Sequence, residues 1–163
     1  MSQAMTTSRP AVQAADVLTI KDLKAYYVND LFGVRREVRA VDGISLTVRR
    51  NEIYGIAGES SSGKTSLIKT LAGAIRPPMR VIDGSVNFDF GGEHIDVYAE
   101  PAKMRAARWK NLSYIMQGSM SVLNPVRRIK HAFYNFAFRH MGLDRTAFRA
   151  RVESHLRKLG LEP

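Results

Sequence analysis

The sequence predicts an α/β fold with an antiparallel β subdomain and the beginning of a helical subdomain, on three observations. A short, continuously apolar run, Ile53 to Ala57 (IYGIA), passes directly into Gly58-Glu59-Ser60-Ser61-Ser62-Gly63-Lys64-Thr65 and then into an amphipathic stretch. Two β-rich segments precede it, and a helical texture begins at Pro125. Five apolar residues in a row are the mark of a strand buried on both faces. A strand feeding a glycine-bounded loop that opens a helix is the core of a phosphate-loop fold.

Each element has its own reason. Val17 to Tyr27 (VLTIKDLKAYY) is rich in β-branched and aromatic residues with partial alternation, which predicts a strand. Asn29 to Arg39 is polar and contains glycine, and is expected to be a loop. Val38 to Val48 returns as a strand, with Ile44, Leu46 and Val48 alternating with Ser45 and Thr47. Arg50-Asn51-Glu52 follows as a turn, with Asn51 suited to a left-handed backbone.

Ser66 to Ala74 is expected to be a helix with Leu67, Ile68, Leu71 and Ala72 on one face, stopped by Pro77 and Pro78. Val81 to Val97 holds two strand-like stretches around Gly91-Gly92, a second hairpin. Pro101 to Trp109 reads as a short helix and Leu112 to Met116 as a strand. Beyond Pro125, Ile129, Phe133, Phe136 and Phe138 or Met141 form an apolar stripe at helical spacing. Asp144 is placed to cap a last helix, with Phe148, Val152, Leu156 and Leu159 inward and Gly160 as its stop. These aromatics are expected to pack a core rather than to hold a cofactor. Residues 1–16 lack the apolar segment of a signal peptide and are expected to be a disordered leader.

Composition narrows the function classes. Of 163 residues 45% are hydrophobic and 25% charged, which excludes disorder throughout and collagen-like repetition. With no cysteine there is no disulfide, cysteine nucleophile, thiolate zinc site or iron–sulfur cluster. No apolar run reaches the roughly 18 residues of a membrane span. The net charge of +10 raises the question of nucleic acid, but the basic residues are scattered without a recognition motif or interleaved aromatics. A basic surface facing solvent, an acidic partner or anionic headgroups is the better reading, and no nucleic-acid partner is expected.

The chemistry lies in residues 58–65, GESSSGKT, which match the G-x-x-x-x-G-K-[ST] pattern known as Walker A. Backbone N–H groups of such a loop wrap a phosphate chain, and the helix that follows points its positive end at the same anion. Gly58 and Gly63 allow close backbone approach, Lys64 brings an ammonium to the β- and γ-phosphates, and Thr65 offers a hydroxyl to Mg²⁺. The expected ligands are therefore ATP and Mg²⁺, held by Gly58, Glu59, Ser60, Ser61, Ser62, Gly63, Lys64, Thr65 and Ser66.

From about Val17 to its end the chain resembles the ATP-binding subunit of an ABC transporter, a P-loop NTPase. The two-strand opening, the turn before Glu52, the loop itself and the spacing to Tyr114-Ile115-Met116-Gln117, which is similar to that family's Q-loop, carry the likeness. Met120-Ser121-Val122-Leu123-Asn124-Pro125 and Ala40-Val41-Asp42-Gly43-Ile44-Ser45 resemble the dipeptide/oligopeptide (and nickel) importer branch. The resemblance implies a nucleotide-binding core over 17–124 and the start of a helical subdomain over 125–163. It implies that Tyr27 stacks on adenine, with Tyr26 competing for that place, and that Gln117 reaches Mg²⁺ and the attacking water. The implied partners are integral-membrane permease subunits and a second ATP-binding subunit, identical or not, at the cytoplasmic face of the cell membrane. The implied activity is ATP-driven import of peptides or related small solutes.

The sequence departs from that family in places. Ser61 stands where the family commonly has glycine, and Gly118-Ser119 stand where an acidic residue and proline usually follow the Q-loop glutamine. No LSGGQ-like signature, Walker B acid or switch histidine is present, and His94, His131, His140 and His155 read as surface or packing residues. The chain is thus expected to be an amino-terminal half with no catalytic residue of its own. Two alternatives stay open: a nucleotide-binding module without turnover, and another phosphate-loop protein such as a small-molecule kinase.

Overall fold

The computed structural model describes residues 15–108, 110–115, 118 and 123–162. The chain divides into two compact units, Met1–Met104 and Arg105–Pro163. The first is a mixed α/β unit built on one antiparallel sheet. Its strands are β1 (Asp16–Leu31), β2 (Val34–Arg49), β3 (Met79–Asp89) and β4 (His94–Asp96), in spatial order β2-β1-β3-β4. Its helices are α1 (Lys64–Leu71) and α2 (Pro101–Ala107), the latter running across the division.

β1 is the central ribbon, pairing Leu18 with Val48 of β2 and with Phe88 of β3. Leu18, Ile20, Leu23, Ala25 and Val28 of β1 are buried, as are Val41, Met79, Val86, Phe88 and Ile95 of the other strands and Leu67 and Leu71 of α1. A bulge interrupts this ladder around Asp22, whose left-handed backbone (φ 43°) is held by its N–H donating to Ser45 Oγ at 2.9 Å. The β3–β4 hairpin around Gly91-Gly92 forms as expected, tied by Gly92 N–H to Asp89 Oδ1 at 2.7 Å.

The segment 29–39, expected as a loop, is instead strand. The ladder runs on through Asn29↔Arg36 to Leu31↔Val34 and turns over Phe32-Gly33. Both turn residues have positive φ (50° and 76°), the hand that matches the twist of the flanking strands. The pairing is carried by the backbone, with Val34 opposite Leu31 and Val38 opposite Tyr27, and the polar residues between them obscure it in the sequence. At the other end of β2, Asn51 adopts the expected left-handed conformation, φ 63°.

The apolar run Ile53–Ala57 is not a strand here, and Ile53 is fully exposed. A strand of that kind exists only between neighbours, and among the described residues none lies alongside it to exchange backbone hydrogen bonds. Leu112 to Ile115 likewise forms no strand, with Ile115 exposed, and Met116 lies outside the described residues. The predicted helix at 66–74 begins earlier and ends earlier, over Lys64–Leu71, and Ile68 faces outward while Leu67, Thr70, Leu71 and Ala72 are buried. Of the expected leader, residues 1–14 lie outside the described residues and Asp16 already belongs to β1. The predicted second helix ends at Ala107, and Trp109 lies outside the described residues.

The second unit is helical where it is regular: α3 (Lys130–Phe133), a π-helical turn (Tyr134–Phe138), α4 (Arg139–Met141) and α5 (Arg145–Lys158). Asp144 caps α5 as its sequence position predicts, its carboxylate accepting from Ala147 N–H at 2.8 Å. Phe148 is the buried centre, touched by the rings of Tyr134 and Phe138, each 5.2 Å away between centroids. The π turn admits an extra residue, and Phe136 points to solvent rather than along the expected stripe. Ile129 and Leu159 are also exposed.

Candidate functional site

The glycine-bounded loop sits between β2 and α1. Gly63 is the residue before the helix, with φ 88°, a conformation other residues seldom take. A Cβ built on it would lie 2.3 Å from the carbonyl oxygen of Ala40 in β2. Only glycine therefore lets the start of α1 approach the sheet this closely. Gly58 is less constrained, since a Cβ there would meet the Ser62 side chain, which can rotate. Ser61 holds a left-handed backbone, φ 65°, at the position where glycine is common in similar loops.

Lys64 folds back over the loop. Its ammonium donates to the carbonyl oxygens of Gly58 at 2.8 Å and Glu59 at 2.5 Å and to Ser62 Oγ at 3.1 Å, using all three of its hydrogens. The charge is thus held at the loop's centre by acceptors on the loop itself. Below it, the first-turn N–H groups of Lys64, Thr65 and Ser66 find no acceptor among the described residues, and no side chain caps the helix. These N–H groups, the positive end of the helix and a fixed ammonium concentrate positive potential at one place, chemistry suited to receiving an anion. Thr65 is exposed beside them.

Tyr27, in β1, is half-buried and its hydroxyl lies 3.3 Å from Ser66 Oγ, so its ring stands beside the first turn of α1. Its neighbour Tyr26 is buried, with Arg39 over its ring at 5.6 Å and its hydroxyl donating to Asp42 Oδ1 at 2.5 Å. That hydrogen bond, foremost, pushes the Tyr26 phenol up and holds the Asp42 carboxyl below its ordinary range. Tyr26 is locked in structure while Tyr27 borders the loop. The role of Ala40 beside the loop has no signal in the sequence, because it arises from backbone approach between segments far apart in the chain.

Residues 58–66 and Tyr27 therefore come together in the first unit. Gln117 lies outside the described residues. Among the described residues no cluster of three or more His, Asp or Glu side chains is arranged to hold a metal. Any divalent cation at this loop would depend on Thr65 and on oxygens of the phosphate itself, the usual manner for Mg²⁺.

Several known proteins are similar to this chain. The chain is 30% identical over 118 residues to the dipeptide transport ATP-binding protein DppD of Caldanaerobacter subterraneus, covering 72% of this chain and 34% of that protein. It is 31% identical to a putative peptide import ATP-binding protein of Brucella abortus, covering 99% of this chain and 48% of the relative. The oligopeptide transport ATP-binding protein AppF of Bacillus subtilis is 28% identical, over 94% of this chain and 45% of its own length. The chain thus spans about half or less of the length of these relatives. The ABC transporter family matches residues 41–163, from the β2 strand that Gly63 abuts through the phosphate loop and the helical unit, and the chain belongs to that family.

Proposed function

We propose that this chain is the nucleotide-binding part of an ABC importer for peptides or related small solutes, with MgATP as its ligand. The observation that carries the reading is the Lys64 ammonium fixed over the uncapped start of α1 by the carbonyls of Gly58 and Glu59. An incoming triphosphate would offer oxygens in place of those carbonyls and would take the free N–H groups of the first turn. The acceptors already in place hold the lysine near its working position, which limits the entropy lost on binding.

Thr65 would supply a hydroxyl to Mg²⁺, and Gln117 a second ligand and a contact to the attacking water. Mg²⁺ would neutralise charge on the β- and γ-phosphates. Tyr27, bordering Ser66, would stack on the adenine, a contact that tolerates any base. The peptide assignment rests on the names of the relatives and on the branch-like segments 40–45 and 120–125. Permease subunits and a second ATP-binding subunit are the partners this reading requires.

The test is equilibrium titration with a fluorescent ATP analogue and Mg²⁺. Charge-assisted hydrogen bonds contribute about 1.5–3 kcal/mol each, so Lys64→Ala should weaken binding by roughly tenfold or more. Affinity equal to the unaltered chain would refute the assignment of this loop.

A further inference from the structure

The β1–β2 hairpin extends beyond the rest of the sheet. Pairing of β1 with β3 ends at Tyr27↔Met79, whereas pairing with β2 continues to Leu31↔Val34, so the outer residues form a free two-stranded ribbon. At its tip Phe32 is fully exposed, and the register partners Leu31 and Val34 are exposed behind it. Phe32 also occupies a left-handed turn position (φ 50°) that asparagine, aspartate or glycine fills at less cost. The turn needs this backbone conformation but not this side chain, and the exposure of the ring does nothing for the fold.

We propose that this tip is a membrane-contact element, inserting Phe32, Leu31 and Val34 into the interfacial layer of an anionic lipid bilayer. The tip is a convex point with no groove, a shape that enters a deformable phase without requiring a matching pocket. The charge of the whole chain favours an anionic one: the outer ribbon 28–37 itself balances Asp30 and Glu37 against Arg35 and Arg36, of which Arg36 has no ion-pair partner among the described residues. Arg35 pairs with Glu37 at 2.5 Å, and the whole chain carries +10. At about 3.3 Å per strand residue, Arg36 lies within one side-chain length of the tip, so its guanidinium group would reach the phosphate level while the apolar tip lies about 5–10 Å deep. The proposal is independent of nucleotide binding, and its test omits nucleotide.

The full chain is floated with vesicles of phosphatidylcholine alone and of phosphatidylcholine mixed with phosphatidylglycerol; flotation separates bound protein from aggregates. Binding to the mixed vesicles is expected to exceed that to phosphatidylcholine by about tenfold and to fall with salt. Phe32→Asn should reduce it about tenfold while leaving the melting temperature equal or higher, because asparagine suits the turn. Arg36→Gln should weaken binding to the anionic vesicles alone. In a Trp109→Phe background, the indole of Phe32→Trp should shift to the blue and be quenched by brominated acyl chains. Unchanged binding of Phe32→Asn, or an indole at position 32 that brominated lipid does not quench, would overturn the proposal. In that case the tip belongs to a protein pocket or the association is electrostatic only.

Discussion

The carbonyl oxygen of Ala40 and the α-carbon of Gly63 are in such close approach that a methyl group on Gly63 would stand 2.3 Å from that oxygen. Both sides of the contact are backbone, so neither can rotate away. Gly63→Ala should therefore lift the start of α1 off β2, lowering stability by roughly 1–3 kcal/mol and weakening nucleotide binding together. Gly43 is the control: its φ is also positive, 71°, but nothing lies within 4 Å of a Cβ there. Urea melts of the two alanine variants should show the greater loss at position 63; equal losses would mean that the Ala40 contact is immaterial.

Ser61 pays the cost of a left-handed backbone in the same loop. Glycine would remove about 1 kcal/mol or more of that strain but would raise the entropy of the unfolded chain by part of that amount. Ser61→Gly should be neutral to stabilising by a few tenths of a kcal/mol, with ATP affinity kept or improved. Ser61→Val, β-branched and ill-suited to φ 65°, should be destabilising. Thermal melts of the pair would check this, and a Gly variant less stable than Val would contradict the strain argument.

The apolar segment after Asn51 leaves Ile53 and Tyr54 exposed with its backbone unpaired among the described residues. Unpaired backbone beside exposed apolar side chains recruits other chains. The chain on its own should be marginally stable and prone to self-association, with added MgATP raising its melting temperature. Ile53→Lys should lower light scattering on warming without lowering the melting temperature. A monomer with a sharp, nucleotide-independent transition and scattering unaffected by Ile53→Lys would oppose this.

Acid should destabilise the fold only below the usual carboxylate range. The hydrogen bond from Tyr26 lowers Asp42, the N–H groups of Gly84 and Gly92 lower Asp83 and Asp89, and Lys103 and Arg149 lower Glu100 and Glu153. Groups whose pKa is depressed on folding contribute stability that is complete above the unfolded values, about 3.9–4.3, and is lost as pH falls through the folded ones. Melting temperature should be flat with respect to these groups from neutrality to about pH 5 and fall below about 4. Asp42→Asn should shallow that fall, and an unchanged acid limb would show that the Tyr26–Asp42 pair contributes nothing to it.

Local rules read from the sequence held wherever a feature depends on residues near one another. The phosphate loop opening a helix, the left-handed Asn51, the Gly91-Gly92 hairpin and the Asp144 cap each need only a few successive residues, and the sequence determined them by itself. Tertiary structure decided whatever required a distant partner. Asn29 to Arg39 reads as a loop by composition but becomes strand because β1 supplies a ladder in register, while Ile53 to Ala57 reads as a buried strand but finds no neighbour to pair with. Phe136 faces outward because the π turn resets the phase that a uniform period assumes, and Leu159 because it lies past the last residue of α5. The need for glycine at 63 has the same origin: the motif names the residue, but its cause is a carbonyl on β2, more than twenty residues earlier, brought to within contact only by the fold.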